Sequence, residues 1–239
     1  MNLLDLTLPT PAENLACDEA LLDWCETEGT PDVLRFWEPG EHFVVLGYAN
    51  KVQVEVDTDA CRLRGLPILR RCTGGGTVLQ GPGCLNYSLL LNVERQPALQ
   101  TITGTNCFIM QRHQAALASL LGVPVGVRGH TDLALGELKF SGNAQRRKRR
   151  FLLFHGTFLL RLETELMEAV LRSPSRQPDY RRNRSHGRFV TQLDTPADAL
   201  KAALRDAWGA SAIAPAFPLS AISHLVHEKY SRDEWNWKW

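Results

Sequence analysis

Polar and apolar residues alternate over Leu3–Leu8 with the period of a half-buried strand, and Thr10-Pro11-Ala12-Glu13 follows directly. That tetrapeptide offers a hydroxyl N-cap, a proline at the first helical position and an acid three residues after the cap, which predicts a helix running to about Glu28. Its stripe of Cys17, Ala20, Leu21, Trp24 and Cys25 has helical spacing and belongs to the core, with Gly29 as the C-terminal cap. Two short apolar runs, Val33–Trp37 and Phe43–Leu46, bounded by Pro, Gly, Glu and His, predict strands of a hairpin or meander. A short helix around Thr58–Arg64 ends at Gly65, and a strand-like Ile68–Arg71 leads into a glycine cluster. Further strands are expected at Leu85–Leu91, Asp132–Leu135, Leu138–Gln145 and Phe151–Leu160, and helices at about Asn106–Leu121, Glu163–Leu171 and Ala197–Trp208. Ser173–Arg188, rich in Arg, Ser, Asn and Pro without apolar periodicity, is expected to be an exposed loop. Strands outnumber helices and come in groups, which predicts an α+β domain with a central mixed, largely antiparallel sheet flanked by helices, and not a doubly wound βαβ fold.

The 239 residues, 44% of them hydrophobic, suffice for one large domain, so residues 1–239 are read as a single unit. No stretch reaches the roughly 20 apolar residues of a membrane helix, and the N-terminus lacks a signal-peptide pattern, so the expected location is the cytoplasm. The six cysteines, Cys17, Cys25, Cys61, Cys72, Cys84 and Cys107, form no CxxC pair and read as reduced thiols, mostly in the core. The net charge of +1 gives no global field for nucleic acid. The basic residues are clustered, however, in Arg146-Arg147-Lys148-Arg149-Arg150 and Arg181-Arg182-Asn183-Arg184.

The densest chemical feature is Arg70-Arg71-Cys72-Thr73-Gly74-Gly75-Gly76-Thr77-Val78-Leu79. Three consecutive glycines let backbone amides approach an anion closely and an adjacent arginine adds charge, although a glycine-rich turn with surface arginines reads equally well from this loop alone. The second feature is Asp132-Leu133, Leu138-Lys139-Phe140-Ser141-Gly142-Asn143-Ala144-Gln145 and His155-Gly156-Thr157. Lys139 sits between large apolar neighbours, facing either solvent or a pocket where its fixed charge would hold a carboxylate and a phosphate together. His155 and Asp132 read either as pocket residues or as a backbone partner and a turn acid. His224-x-x-His227 lacks a third ligand, so no metal site is assigned.

Together with Asn14-Leu15-Ala16-Cys17-Asp18-Glu19, Val44-Val45-Leu46-Gly47, Asn86-Tyr87-Ser88 and Glu234-Trp235-Asn236, these segments resemble the catalytic domain of lipoate-protein ligases, which are related to biotin-protein ligases. The resemblance implies ATP-dependent attachment of lipoate or octanoate to a lysine of an acceptor domain through an acyl-adenylate, with ATP and Mg²⁺ required. In the family the arginine of the glycine-rich loop and the four residues ending it bind the acyl-adenylate, which points to Arg71, Gly76, Thr77, Val78 and Leu79. The family's lysine, which touches both acyl carbonyl and phosphate, falls on Lys139. The wider substrate- and ATP-binding set so implied adds Arg70, Gly74, Gly75, Asn86, Asp132, Ser141, Gly142, Ala144, His155, Gly156 and Thr157. Implied partners are the lipoyl domains of 2-oxoacid dehydrogenase complexes or the glycine cleavage H protein. The small C-terminal accessory domain of larger ligases is expected to be absent, since the sequence stops just after Trp235-Asn236-Trp237, and the chain reads either as one that works with a separate accessory subunit or as one that is complete as it stands.

The sequence departs from the family after the glycine loop, where Gln80-Gly81-Pro82-Gly83-Cys84 replaces the common His-Asp and a later asparagine. An alternative is the related octanoyltransferase, which moves octanoyl from acyl carrier protein through a cysteine thioester without ATP. In one such group that cysteine lies shortly before the family's lysine, and Val123 to Leu138 here contains none, leaving Cys72 and Cys84 at the border of the proposed pocket. Behind these readings stand a biotin-protein ligase and a non-enzymatic nucleic-acid-binding module. The basic runs suggest the latter, but only Tyr180 and Phe151 adjoin them as base-stacking aromatics. A basic rim that steers an acidic acceptor domain explains the same charge better.

Overall fold

The computed structural model describes residues 1–161, 163–213 and 219–239. In chain order the elements are β1 (Asn2–Asp5), α1 (Pro11–Glu28), β2 (Val33–Trp37), β3 (Phe43–Leu46), α2 (Val52–Glu55), α3 (Thr58–Leu63), β4 (Ile68–Arg70), β5 (Val78–Gln80), β6 (Cys84–Asn92) and α4 (Ile102–Leu121). There follow β7 (Gly126–Arg128), β8 (Asp132–Leu135), β9 (Leu138–Arg147), β10 (Phe151–Leu159), α5 (Thr164–Val170), α6 (His186–Phe189), α7 (Ala197–Trp208), β11 (Ala212–Ile213), α8 (Leu219–Leu225) and α9 (Asp233–Asn236). Strands β11-β1-β2-β6-β10-β9-β8-β7 form one mixed sheet, parallel across β11, β1 and β2 and antiparallel beyond, while β4-β3-β5 form a second, small sheet. This is the expected mixed, largely antiparallel α+β architecture.

The start of α1 follows from its capping sequence. The Thr10 hydroxyl accepts the Glu13 amide, the Glu13 carboxylate accepts the Thr10 amide, and Gly29 closes the far end at φ +66°. The expected hairpin of Val33–Trp37 with Phe43–Leu46 does not form. Every residue of both runs is buried, so each strand needs neighbours on both sides, which a two-stranded ribbon cannot supply. Strand β2 is inserted between β1 and β6 of the large sheet, and β3 between β4 and β5 of the small one.

Alternation along β2, β6 and β10 sends side chains to two different cores. Leu34, Phe36, Leu85, Tyr87, Phe154 and Phe158 join α4 and α7, whereas Val33, Leu90, Phe151 and Leu153 pack with α1 and α8. Toward one end the α1 face turns polar, with Arg35, Asn86, Ser88, His155 and Thr157, and there the small sheet covers it. Polar groups buried between two sheets mark the position of the site.

In the α4 core the Trp208 indole donates to His113 Nε2 at 2.9 Å, and Tyr87 packs edge-on against the same imidazole. Burial, assisted by the neighbouring Arg112 charge, pulls His113 down to about 3, so it is neutral in the fold. The unfolded chain binds the proton near pH 6.5, so this contribution to stability is complete above that pH and is lost as pH falls toward 3. At pH 5 the loss is about 2 kcal/mol. Urea titrations of wild type and His113→Gln at pH 7 and pH 5 should show the variant losing about 2 kcal/mol less between the two. Equal losses would contradict a neutral His113.

Candidate active site

All but three of the site residues selected from the sequence line a single cleft of about 970 Å³ between the large sheet, the small sheet and the segment after α5. On one wall, the β8–β9 hairpin presents Lys139, whose ammonium lies 2.7 Å from Asp132 Oδ1. A Cβ added at Gly142 would stand 2.6 Å from Lys139 Nζ, so a glycine at 142 makes room for the ammonium against the strand. Both members of the pair are mostly shielded from solvent, and an ammonium has three donors, of which Asp132 takes one.

Opposite stands the glycine loop, organised from within by Arg71. Its guanidinium donates to Gly74 O at 2.6 Å, to Gly76 O at 2.8 Å and, through Nε, to Thr73 Oγ1 at 3.0 Å. With the carbonyls drawn inward, the Gly75 and Gly76 amides meet no acceptor among the described residues, and the buried Thr77 hydroxyl likewise has no partner. Unsatisfied donors around a cleft form a nest for an anion. Gly75 sits at φ +90°, and a Cβ on Gly47 would stand 2.1 Å from Gly75 O, so the close approach of these two turns requires glycine. Burial lowers the Arg71 guanidinium to about 10, which still leaves it charged at neutral pH.

The floor is a chain of buried polar groups. His155 Nδ1 lies 3.1 Å from Asp18 Oδ2, its Nε2 lies 2.7 Å from Thr73 Oγ1, and Asp18 Oδ1 takes Arg35 Nη1 at 2.6 Å. Burial by itself would raise the Asp18 carboxyl, but Arg35 and His155 outweigh it and hold it below the ordinary range. Arg35 also donates to Leu6 O, Asn14 O and Asn14 Oδ1, so its charge is fully engaged. Where the sequence departs from the family, Gln80, Asn86 and Thr157 close a triangle: Gln80 Nε2 donates to Thr157 Oγ1, Thr157 to Asn86 Oδ1, and Asn86 Nδ2 to Gln80 Oε1. A Cβ on Gly81 would lie 2.1 Å from the His42 ring, so no larger residue fits there without displacing that imidazole.

Arg70, Gly74 and Ser141 do not line the cleft. Arg70 points the other way, donating to the carbonyls of Gly47, Tyr48, Asn50, Trp235 and Asn236 and so tying the C-terminal segment to the turn beneath the glycine loop. Adjacent residues on a strand face opposite sides, so only one of the paired arginines can enter the cleft. Gly74 serves through its carbonyl, which Arg71 holds, and Ser141 is fully buried.

The segment expected to be an exposed loop is largely exposed and irregular, but it also crosses the cleft as a strap, contributing Pro174, Arg176, Pro178, Tyr180, Arg181, His186 and Phe189 to its walls. Its apolar anchors are too sparse to show periodicity, but Arg181 and Arg184 stack on Phe189 at 4.8 and 5.2 Å and Tyr180 packs beside it. The basic run at 146–150 is similarly absorbed. Arg146 meets Glu19 at 2.8 Å, Lys148 pairs with Asp23, the Arg150 guanidinium donates to the Glu26 and Thr27 carbonyls, and Arg147 donates to Thr105 and Leu99. Glu19, Asp23 and Glu26 recur along one face of α1, so most of this run pairs within the protein and is not a free docking rim. His227 pairs with Glu228, and no group of three or more His, Cys, Asp or Glu side chains gathers among the described residues.

All six cysteines are free and none lines the cleft. Cys72 and Cys84 are buried, and burial pushes each up to about 11, the opposite of what an attacking thiolate needs. Of the residues that build the site, Asp18 and Tyr87 lay within motifs already singled out. Thr73 lay inside the glycine-loop motif, whereas Arg35 left no sequence signal and Tyr180 was noted only as an aromatic beside a basic run, because an arginine in an apolar strand and a tyrosine in a polar loop reveal their partners only in three dimensions.

The fold and site are those of an enzyme in the lipoate/octanoate-protein transferase family, as the family model and the relatives show. The chain is a member of the lipoyl protein ligase A/B catalytic domain family, whose model matches residues 10–205. It is 28% identical to the octanoyltransferase LipM of Geobacillus kaustophilus over 95% of this chain and 94% of that protein. It is 33% identical to LipM of Moorella thermoacetica over 72% of this chain and 70% of that one. Among solved structures, a bi-partite lipoate protein ligase of Thermoplasma acidophilum, described with its E2 lipoyl domain, superposes with a TM-score of 0.83 at 25% identity, covering 99% of this chain and 95% of that chain. No helix among the described residues is long and apolar enough to cross a membrane.

Proposed function

We propose that this enzyme joins lipoate or octanoate to a lysine of a lipoyl domain through an acyl-adenylate formed from ATP. The observation that carries this reading is the cleft itself, whose walls include both a lysine ammonium held by Asp132 and the glycine-loop amides, with no cysteine among the lining residues. In the first step the acid's carboxylate attacks the α-phosphorus of ATP, an acyl–phosphate bond forms, and the bond to the β-phosphate breaks with release of pyrophosphate. Lys139 would donate to the carboxylate and an α-phosphate oxygen, while the Gly75 and Gly76 amides would hold the remaining phosphate oxygens. In the second step the acceptor lysine's amine attacks the acyl carbonyl, AMP leaves, an amide forms and the amine's proton is released. Lys139 then stabilises the oxyanion.

Magnesium is expected with ATP, but the described residues do not make a site for it. Asp132 Oδ1 is engaged by Lys139 and Oδ2 by Tyr180, and no group of three or more His, Cys, Asp or Glu side chains stands there among the described residues. An ion that accompanies ATP would be bound through the nucleotide's own phosphates.

The names of the curated relatives favour the second reading, octanoyl transfer from a carrier protein. A thioester route would need Cys72 or Cys84 to reach the cleft from a buried position. Intact-mass analysis of an apo lipoyl domain separates the two. Incubated with this protein, lipoate, ATP and Mg²⁺, the acceptor should gain one lipoyl group, and a Cys72→Ser/Cys84→Ser variant should retain that activity. Acylation from octanoyl-carrier protein without ATP, abolished by either serine substitution, would replace the adenylate reading with the thioester one.

A further inference from the structure

Tyr180 has a hydroxyl that the chemistry above does not use. It donates to Asp132 Oδ2 at 2.8 Å, while Asp132 Oδ1 holds Lys139 Nζ at 2.7 Å. Each carboxylate oxygen therefore has its own partner, which fixes the plane of the group and with it the direction of the lysine. The same strap also reaches Lys139 from the other side. Val190 forms a parallel bridge to Lys139, and the Thr191 amide donates to the Lys139 carbonyl at 2.8 Å. Arg184 donates to Glu137 O in the β8–β9 turn, and the tyrosine ring is held on the buried Phe189. Gly129, at φ +54°, lets Pro178 and Tyr180 close over the hairpin, since a Cβ there would stand 3.2 Å from Pro178 and 3.7 Å from Tyr180.

We propose that Tyr180 is a positioning residue: through Asp132 it couples closure of the 173–191 strap to the orientation of the Lys139 ammonium. With the strap down, Asp132 occupies one ammonium donor and leaves the others for the acyl and phosphate oxygens. With Tyr180 withdrawn, the carboxylate is free to rotate and Lys139 follows it. The importance assigned to the orientation rests on Lys139 acting as proposed above, but the coupling itself does not depend on the acyl donor.

The test is competitive labelling of the folded enzyme with trace acetic anhydride, with the exposed Lys51 as internal standard and peptide mass spectrometry as readout. Tyr180→Phe keeps the ring on Phe189 and removes only the hydroxyl. It should change Lys139 labelling relative to Lys51 by roughly threefold or more, in whichever direction the released carboxylate carries the ammonium, since the charge-assisted hydrogen bond that fixes Asp132 is lost. In an Asp132→Asn background the same substitution should add little further, because the tyrosine has lost its anionic acceptor. In acceptor acylation, kcat should fall roughly tenfold with KM for the acceptor within about twofold, the signature of lost orientation. Unchanged labelling, or an effect of equal size with and without the Asp132 carboxylate, overturns the coupling. If labelling responds as expected while the wild type shows no ATP-dependent acylation, the coupling stands and the adenylate reading falls.

Discussion

Replacing Lys139 with alanine should slow acylation of a lipoyl domain by on the order of 10²–10³ while leaving the thermal midpoint almost unchanged. The rate effect follows from position: Lys139 lines the same cleft as the glycine loop, and in the proposed reaction its charge would act where negative charge builds on the acyl and phosphate oxygens. The small stability effect follows from its pairing. Asp132 keeps the Tyr180 hydroxyl when the lysine is gone, and the ion pair is partly solvated, so its loss should cost no more than about 1 kcal/mol. Lys139→Arg should recover little activity, because a planar guanidinium cannot occupy the compact space over Gly142. Single-turnover assays with preformed acyl-adenylate would isolate the second step. A wild-type rate there would remove Lys139 from the acyl transfer and confine it to activation of the acid.

Arg35→Met should be the most destabilising single substitution near the site, costing about 3–5 kcal/mol. Arg35 is fully buried and supplies the ion pair of the equally buried Asp18, along with hydrogen bonds to Leu6 and Asn14. Methionine fills much of the volume but leaves the carboxylate without its cation. The pH dependence provides the signature. In the wild type the depressed Asp18 contributes stability that is present above its ordinary range near pH 4 and lost as pH falls through the folded value. In the variant the sign reverses: burial without Arg35 raises Asp18, so the fold gains relative to wild type as pH drops. Asp18→Asn in the same background should return part of the loss. Chemical denaturation of the two variants at pH 7 and pH 5 would measure both effects, and a loss below about 1 kcal/mol for Arg35→Met would show that water compensates Asp18.

The sequence revealed the elements with strong local signals. The capping box at Thr10 and the periodicity of α7 need no tertiary information, and the glycine loop and Lys139 stood out because three glycines and a lysine among apolar neighbours are costly without a purpose. What it concealed were relations between residues far apart in the chain. The two apolar runs β2 and β3 looked like partners because they are neighbours in sequence, whereas burial on both faces sends them to different sheets. Arg70 and Arg71 looked equivalent, and only the sheet geometry assigns one to the C-terminal segment and the other to the cleft. The exposure of the strap was legible, but its place on the cleft was not, because its packing uses arginine stems stacked on one phenylalanine, which polar composition disguises.

The inward-facing Arg70 has a practical consequence. Besides binding the carbonyls beneath the glycine loop, its own carbonyl accepts the Trp235 indole at 2.8 Å, and the Trp239 indole donates to Tyr48 O at 3.0 Å. Tyr48 is in turn joined to the loop, its amide donating to Thr73 O at 2.8 Å, and the Lys238 ammonium lies over both the Tyr48 and Trp235 rings. Two fluorophores are thus wired to the glycine loop while standing outside the cleft. With Trp24, Trp37, Trp208 and Trp237 replaced by phenylalanine, their emission would give an optical gauge of loop position that needs no attached dye.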